Sequence, residues 1–377
     1  MVLYNNPVKI NYLSLDDFTE FIGDSANGKT IGLVLNSTLA KKISLDFLVN
    51  KIKNNSHKFI WIDIIKSNPT VNEIKFALDR IGDKDVDILI AIGGGSSIDL
   101  GKSCIALNKN RKNQPLSEAE ILDIVRKKDY LNYPSNIPLF AVPTTAGSGS
   151  EMTKWGTIWD PKNNKKYSIE AEWLYPDTAF LIPELTYTLP PHLTISTSLD
   201  ALTQACEAFW AKASSPLIKE LAFIAIRIIK EFLPLVKTSP KNHHIRSKLL
   251  IASSTSGLAF SQTKTTACHS ISYPLTNLFK IPHGIAVALT LDEIMHINIR
   301  EVPEINEIVE LFSNYGGLKN WLSEVTVPHF NLNLSSFGII QSEIPFITDQ
   351  CYTKGRMDNN PVNISKTELT NILLRLL

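Results

Sequence analysis

The first half of the chain alternates short apolar runs with stretches of helical periodicity, and few architectures accept that pattern. TIGLVL (30–35), KFIWIDI (58–64), VDILIAI (86–92) and IPLFAV (137–142) are close to continuously apolar. A strand with one wet face alternates polar and apolar residues, whereas a strand covered on both faces does not. Between the runs, residues 72–82, 97–107 and 116–128 carry helical spacing. The alternation predicts a parallel α/β sheet with crossover helices. TIWDPKNNKKYSIE (157–170) differs: two strand-like pieces flank a polar turn holding Pro161, Asn163 and Asn164, which predicts a hairpin.

Beyond a Pro-rich joint, TLPPHLT (188–194), the periodicity is helical almost to the end: 194–212, 216–236, 243–260, 284–298, 316–325, 335–347 and 366–376. A chain of 377 residues is long for one domain. Two are expected, an α/β domain over 1–188 and an all-helical domain over 189–377, with ligands in the cleft between them. Lys and Arg number 38 against 37 for Asp and Glu, so no basic field points to nucleic acid or to an anionic membrane surface. Cys104, Cys206, Cys268 and Cys351 lie far apart with no CxxC and read as buried, reduced thiols. No apolar run reaches the ~20 residues that span a bilayer. The N-terminal MVLYNNPVKINYLS lacks the charged and apolar blocks of a secretion signal, so a soluble cytoplasmic protein is expected.

DILIAIGGGSSIDLGK (87–102) reads as strand, tight turn, helix. Gly93, Gly94 and Gly95 let the backbone approach a ligand closely, and Ser96 stands where it would cap the helix. Backbone N–H groups and the positive end of the helix dipole then face the turn, a setting that suits a diphosphate. The pattern is neither G-x-G-x-x-G nor a Walker loop. After the next strand, Thr144, Thr145, Ser148 and Ser150 offer hydroxyls and Gly147 and Gly149 offer backbone approach. Two such loops at the carboxyl ends of parallel strands make an extended nucleotide site.

In the helical half, SLDALTQACEAFW (198–210) places Gln204 one turn after Asp200, where a second metal ligand would face the same side. His269 lies in an apolar segment and His283 in IPHG. An oxygen and two imidazoles suit Fe(II) or Zn(II) acting as a Lewis acid. Each histidine taken alone reads as structural, and His57, His192, His243, His244 and His329 read as surface or loop residues.

GGGSSIDLGK, PTTAGSGSE, LDALTQACEA and IPHG, in that order and at those distances, resemble the iron-dependent (group III) alcohol dehydrogenases. The tail NNPVNIS (359–365) is similar to that family's Asn-Pro-Arg signature. The resemblance spans nearly the whole chain. It implies a dehydroquinate synthase-like nucleotide domain, a helical metal-binding domain, NAD(P), a divalent metal, a small aldehyde or alcohol substrate, and a homodimer or larger homo-oligomer. It assigns the metal ligands to Asp200, Gln204, His269 and His283, and the cofactor contacts to Gly93, Gly94, Gly95, Ser96, Asp99, Thr144, Thr145, Ser148 and Gly149. The family's histidine at the second ligand position is here Gln204, a weaker ligand, which implies an altered site. Its second departure is Tyr273 for a histidine near substrate and nicotinamide. A phenol of ordinary pKa near ~10 donates a hydrogen bond well but shuttles protons poorly at neutral pH.

SQTKTTACHSISYPLTNLFKIPHG and EMTKWGTIWDPKNNKKYSIE resemble the phosphonoacetaldehyde reductases within the family. That branch implies reduction to 2-hydroxyethylphosphonate. Lys264, read as one turn before His269 on the same helix, and Lys154 would supply charge to a phosphonate, and Lys166 would contact cofactor or substrate. Asn36 stands where NAD users place an acid on the ribose, with Lys41 and Lys42 close behind, so NADP is expected to be accepted. Two other readings share the fold: a polyol or polyol-phosphate dehydrogenase (or dehydroquinate synthase) with a fuller zinc site, and a nucleotide-binding protein whose metal site has decayed.

Overall fold

The computed structural model describes residues 4–63, 68–111, 114–163 and 165–377. Ile64 of the second apolar run and Asn164 of the expected turn lie outside them. The chain divides into two compact units. One groups Asn6–Thr145 with Ser150–Thr188; the other groups Leu189–Leu377 with Ala146–Gly149 and the residues up to Asn5.

In the first unit, β1 (Lys9–Tyr12), β2 (Thr30–Val34), β3 (Lys58–Ile62), β4 (Ile88–Gly93), β5 (Leu139–Pro143) and β8 (Thr178–Leu181) form a parallel sheet in the order β1-β8-β5-β4-β2-β3. The apolar runs become strands because both of their faces are covered. Leu89 and Ala91 of β4 face one core with Ile60, Leu139 and Ala141; Ile88, Ile90 and Ile92 face another with Ile31, Leu33 and Phe180. The first core is closed by α4 (Val71–Ile81), α5 (Gly95–Asn108) and α6 (Glu118–Lys127), the second by α1 (Leu15–Ser25), α2 (Ser37–Lys42) and α3 (Asp46–Asn55). α4 and α6 start at capping boxes, Thr70 with Glu73 and Ser117 with Glu120, which fixes where each helix leaves its loop. β6 (Trp155–Asp160) and β7 (Lys165–Glu170) form the expected antiparallel hairpin. β1 and β8 escape sequence reading, being four residues each; KINY mixes polar with apolar residues and stays largely exposed.

A buried cation bolts α5 to the segment after β5. Lys102 has no exposed surface, and its Nζ donates to Ser150 O (2.6 Å), Ser150 Oγ (3.1 Å), Thr153 Oγ1 (2.9 Å) and Trp155 O (2.9 Å). Asp99, one turn earlier, accepts from Ser150 Oγ (2.6 Å) and from the Thr157 N–H (2.9 Å). Burial lowers the Lys102 pKa to about 8 although Asp99 and Glu151 pull it upward.

The second unit is helical: α7 (Pro191–Trp210), α8 (Pro216–Phe232), α9 (His243–Thr263), α10 (Ala267–Phe279), α11 (His283–Ala288), α12 (Leu291–Asn298), α13 (Ile305–Leu311), α14 (Leu318–Thr326), α15 (Ile344–Gln350) and α16 (Lys366–Arg375). Two expectations need correction. The span 284–298 is two helices, α11 and α12, broken at Leu289–Thr290. The span 335–347 is mostly single turns of 3-10 helix ahead of α15, because Gly338 adopts φ +80 and ends the first turn. All four cysteines are buried and unpaired. Among the described residues no helix is long and apolar enough to cross a membrane.

Replacing Lys102 with Met strands four acceptors and the neighbouring carboxylates. We expect Lys102→Met to lose about 3 kcal/mol at pH 7.5 in urea unfolding. The folded lysine titrates near 8 and the unfolded one near 10.5, so between those values the unfolded chain holds more protons. The wild type should therefore gain stability relative to the Lys102→Met variant as pH rises from 8 to 10, a trend that unfolding at both values reads directly.

Candidate functional site

The β4–α5 turn has the build of an anion cradle. Gly93 adopts φ +155, and a Cβ there would fall 2.1 Å from Ser97 Oγ; Gly94 is the N-cap and carries no side-chain cap. The backbone N–H groups that open this 14-residue helix thus face the turn without a capping side chain in the way. Ser96 does not cap the helix as expected: it lies in the first turn of α5, and its Oγ accepts from the Asn68 N–H (2.9 Å). The Thr144 N–H donates to Gly93 O (2.9 Å), and Thr145 Oγ1 lies 3.3 Å from where a Gly94 Cβ would be, so these threonines border the turn. Ser148 and Gly149 group with the helical unit, where a Cβ on Gly149 would meet the Gly257 Cα at 2.7 Å. Asp99 spends both carboxylate oxygens on the fold, as above. Asn36 caps α2, accepting from the Leu39 N–H (2.9 Å), and so stands just past the end of β2. Lys166 is exposed on β7 with its Nζ 5.5 Å from the Trp159 ring centroid. Lys154 pairs with Glu172 at 2.5 Å, which already answers its charge.

The metal candidates come together in the helical unit. On α7, buried from Ser198 to Trp210, the residues Asp200, Gln204 and Glu207 recur at one- and two-turn spacing and share a face. α10 brings His269 and α11 brings His283. His269 Nε2 lies 3.3 Å and His283 Nε2 3.8 Å from Asp200 Oδ1, and the three candidate ligand atoms fall within 4.8 Å of one another. Gln204 is 5% exposed, and its Oε1 is buried with no hydrogen-bond partner among the described residues. An orphaned amide oxygen inside a protein costs free energy unless something electropositive meets it. A carboxylate oxygen, that amide oxygen and two imidazole nitrogens form a donor set that fits Fe(II) or Zn(II).

Glu207, which sequence reasoning passes over, orients the set. It has no exposed surface; Oε2 meets His269 Nδ1 at 2.5 Å, and Oε1 accepts from Thr266 Oγ1 (3.0 Å) and from the His269 N–H (3.2 Å). Holding the Nδ1 proton there directs Nε2 at Asp200, and that nitrogen presents a lone pair once a cation displaces its own proton. Burial alone would lower the His269 pKa, yet Glu207 and Asp200 raise it to about 10. Burial would likewise raise Glu207, but the imidazole charge and its hydrogen bonds hold the carboxyl below its usual range. The signal available in the sequence was the spacing of Glu207 two turns after Asp200.

Close helix approach completes the geometry. A Cβ on Gly284 would lie 1.7 Å from Ser196 O, so only glycine lets α11 sit against α7 and deliver His283. On the other side of α7, a Cβ on Gly147 would lie 2.6 Å from the Thr197 Cβ, and Ser198 Oγ donates to Ala146 O (3.4 Å). Tyr273, one turn after His269, lies parallel to the His283 ring (9°, centroids 6.4 Å). Lys264 needs correction. It is the C-cap of α9 at φ +62, separated from α10 by a loop, and does not share a helix with His269. His296 is exposed and bonded to its own helix through Asp292 O (2.8 Å).

The chain resembles known proteins along nearly its whole length. The family profile described as iron-containing alcohol dehydrogenase matches residues 12–183, and the C-terminal profile of the Fe-containing alcohol dehydrogenase family matches 194–377. The 1-propanol dehydrogenase PduQ of Citrobacter freundii is 31% identical over 273 residues, 72% of this chain and 68% of its own length. The sulfoacetaldehyde reductase of Bilophila wadsworthia is 27% identical over 326 residues, 81% of this chain and 80% of its own. The crystal structure of sulfoacetaldehyde reductase from Bifidobacterium kashiwanohense in complex with NAD+ superposes with a TM-score of 0.85 at 26% identity, covering 100% of this chain and 99% of the other.

Three substitutions test the cation site by calorimetry with Zn(II) or Co(II). Gln204→His should tighten binding roughly 10-fold or more, since imidazole is the better donor. Glu207→Gln should weaken it about 10- to 100-fold, the usual cost of removing such an orienting carboxylate. Gly284→Ala should lower both thermal stability and cation affinity, because its methyl group forces α11 off α7.

Proposed function

Because the chain belongs to the iron-containing alcohol dehydrogenase family, we propose that it is a metal-dependent NAD(P)H oxidoreductase interconverting a small aldehyde and its primary alcohol. The observation that carries this reading is the convergence of Asp200, His269 and His283 with the orphaned Gln204 oxygen. These four residues would hold Fe(II) or Zn(II). Gly93–Ser96 with Thr144 and Thr145 would hold the cofactor diphosphate, and Ser148 and Gly149 belong to the same loop. When bound, the cation supplies Lewis-acid polarisation of a carbonyl oxygen and the reduced nicotinamide supplies the hydride.

The chain's own residues do the rest. Glu207 keeps the Nδ1 proton of His269, so that Nε2 is the nitrogen that gives up its proton to a cation. Tyr273, held parallel to His283, offers its O–H to the oxygen of the forming alcohol, with water restoring the phenol proton. Asn36 carries no charge against a ribose 2′-phosphate, so NADP is accepted as well as NAD. Lys166 is assigned to the rim, where an exposed ammonium meets cofactor or substrate oxygens.

The substrate we assign is a two-carbon aldehyde bearing a tetrahedral anion, phosphonoacetaldehyde being the first candidate and 2-hydroxyethylphosphonate its product. The sequence likeness to phosphonoacetaldehyde reductases around 261–284 and 151–170 supports this, as does the presence of two sulfoacetaldehyde reductases among the relatives.

The test is NAD(P)H oxidation by protein loaded with Fe(II) or Zn(II), using phosphonoacetaldehyde, sulfoacetaldehyde and propanal. We expect kcat/KM for one of the anionic aldehydes to exceed that for propanal at least 10-fold. Equal turnover of propanal removes the anionic substrate and leaves a general aldehyde reductase. No turnover with either metal, beside intact nucleotide binding, identifies a decayed site.

A further inference from the structure

The segment Cys351–Asn360 is tied at both ends to the elements that deliver His269. At its start, Ser270 Oγ donates to Cys351 O and accepts from the Thr353 N–H (2.9 Å); Ser270 is the residue after His269. At its end, Asn359 Nδ2 donates to Thr263 O (2.9 Å) and Thr265 O (3.1 Å), the two carbonyls flanking Lys264. The Lys212 ammonium holds Asp358 O (2.7 Å), and the Gly355 N–H meets Asp358 Oδ1 (2.5 Å) with Gly355 at φ +77. So fixed, the segment is a rigid bend with Arg356 inside it.

Arg356 is out of balance with its surroundings. One guanidinium nitrogen, Nη1, donates to Gly355 O (3.0 Å), while Nε is buried with no hydrogen-bond partner, and Arg356 forms no ion pair among the described residues. Arg356 is partly exposed, so its charge reaches solvent, but a buried N–H left unmatched is costly, and each such group in a native fold asks for an acceptor. Asp358, whose Oδ1 accepts from the Gly355 N–H, makes no bond to Arg356 among the described residues. A guanidinium presents its donors as a planar fork that matches two oxygens of a phosphonate or sulfonate at once. Lys264, on the loop that Asn359 pins, is held at φ +62, a conformation rare for a side chain of its kind, with Thr263 Oγ1 donating to its carbonyl (2.9 Å). That same loop runs into Thr266, whose hydroxyl is bonded to Glu207.

We propose that Arg356, with Lys264 on the pinned loop, is the substrate's anion receptor, and that it selects short aldehydes carrying a phosphonate or sulfonate. This rests on the anionic-aldehyde reading above. It moves the selectivity from Lys154, which Glu172 already neutralises, to the segment 353–359. Binding of the anion answers the unmatched Nε donor and adds a charge-assisted pair beside the helix that carries His269 and Tyr273.

The test is calorimetric titration of protein loaded with Zn(II) and NADP+, using 2-hydroxyethylphosphonate, 2-hydroxyethanesulfonate and 1-propanol, for wild type, Arg356→Met and Arg356→Lys. We expect wild type to prefer at least one acid over 1-propanol, and Arg356→Met to cut that preference at least 10-fold. Arg356→Lys, which keeps the charge but not the fork, should recover part of it and guards against a folding defect in the Met variant. The acid that binds tighter to wild type identifies the natural anion as phosphonate or sulfonate. If wild type prefers an acid and Arg356→Met keeps that preference, the receptor assignment is overturned while the substrate reading stands. If wild type shows no preference for either acid, the substrate reading itself fails and takes the receptor with it.

Discussion

A carboxylate with no exposed surface, Glu207, holds the helical unit's chemistry in place. Burying it costs several kcal/mol unless every lone pair is met, and here the Thr266 hydroxyl, the His269 N–H and the His269 ring meet them. The same contacts set the start of α10 against α7 and choose the tautomer of His269. One buried charge thus fixes a helix position, a ring orientation and the direction of a lone pair. Trp210 Nε1 adds to the joint by donating to the Thr266 hydroxyl at 3.0 Å.

Glycines and a buried lysine do the corresponding work elsewhere. Gly284 lets the backbone of α11 touch α7, so that a histidine at the helix start reaches the cluster. Gly93 and Gly94 keep side chains out of the β4–α5 turn. Lys102 and Asp99 lock α5 to the segment after β5, which keeps the turn at the head of α5 rigid. In each case a residue type that looks local sets a distance between elements far apart in the chain.

The two departures from the family's pattern now have surroundings. Gln204 is buried, with its amide oxygen unmatched among the described residues. Tyr273 lies parallel to the ring of His283, extending the aromatic wall beside the cluster where an imidazole would have brought a titratable proton.

The sequence by itself determined the sheet, the glycine turn and the hairpin, because these depend on local periodicity and on residue types with few other uses, whereas it put forward Asp200, Gln204, His269 and His283 through the resemblance to a family rather than through spacing. It missed β1 and β8, whose four residues carry too little pattern, and it ran separate helices together at 284–298 and from Lys264 to His269. Backbone breaks at Leu289–Thr290 and at the positive φ of Lys264 leave no mark in hydrophobic spacing. Only the tertiary structure decided that Glu207 orients His269, that Lys102 bolts α5, and that Arg356 carries an unmatched donor. The first two are contacts between groups 48 to 62 residues apart, and the third is the absence of a contact, so no short window of sequence reveals them.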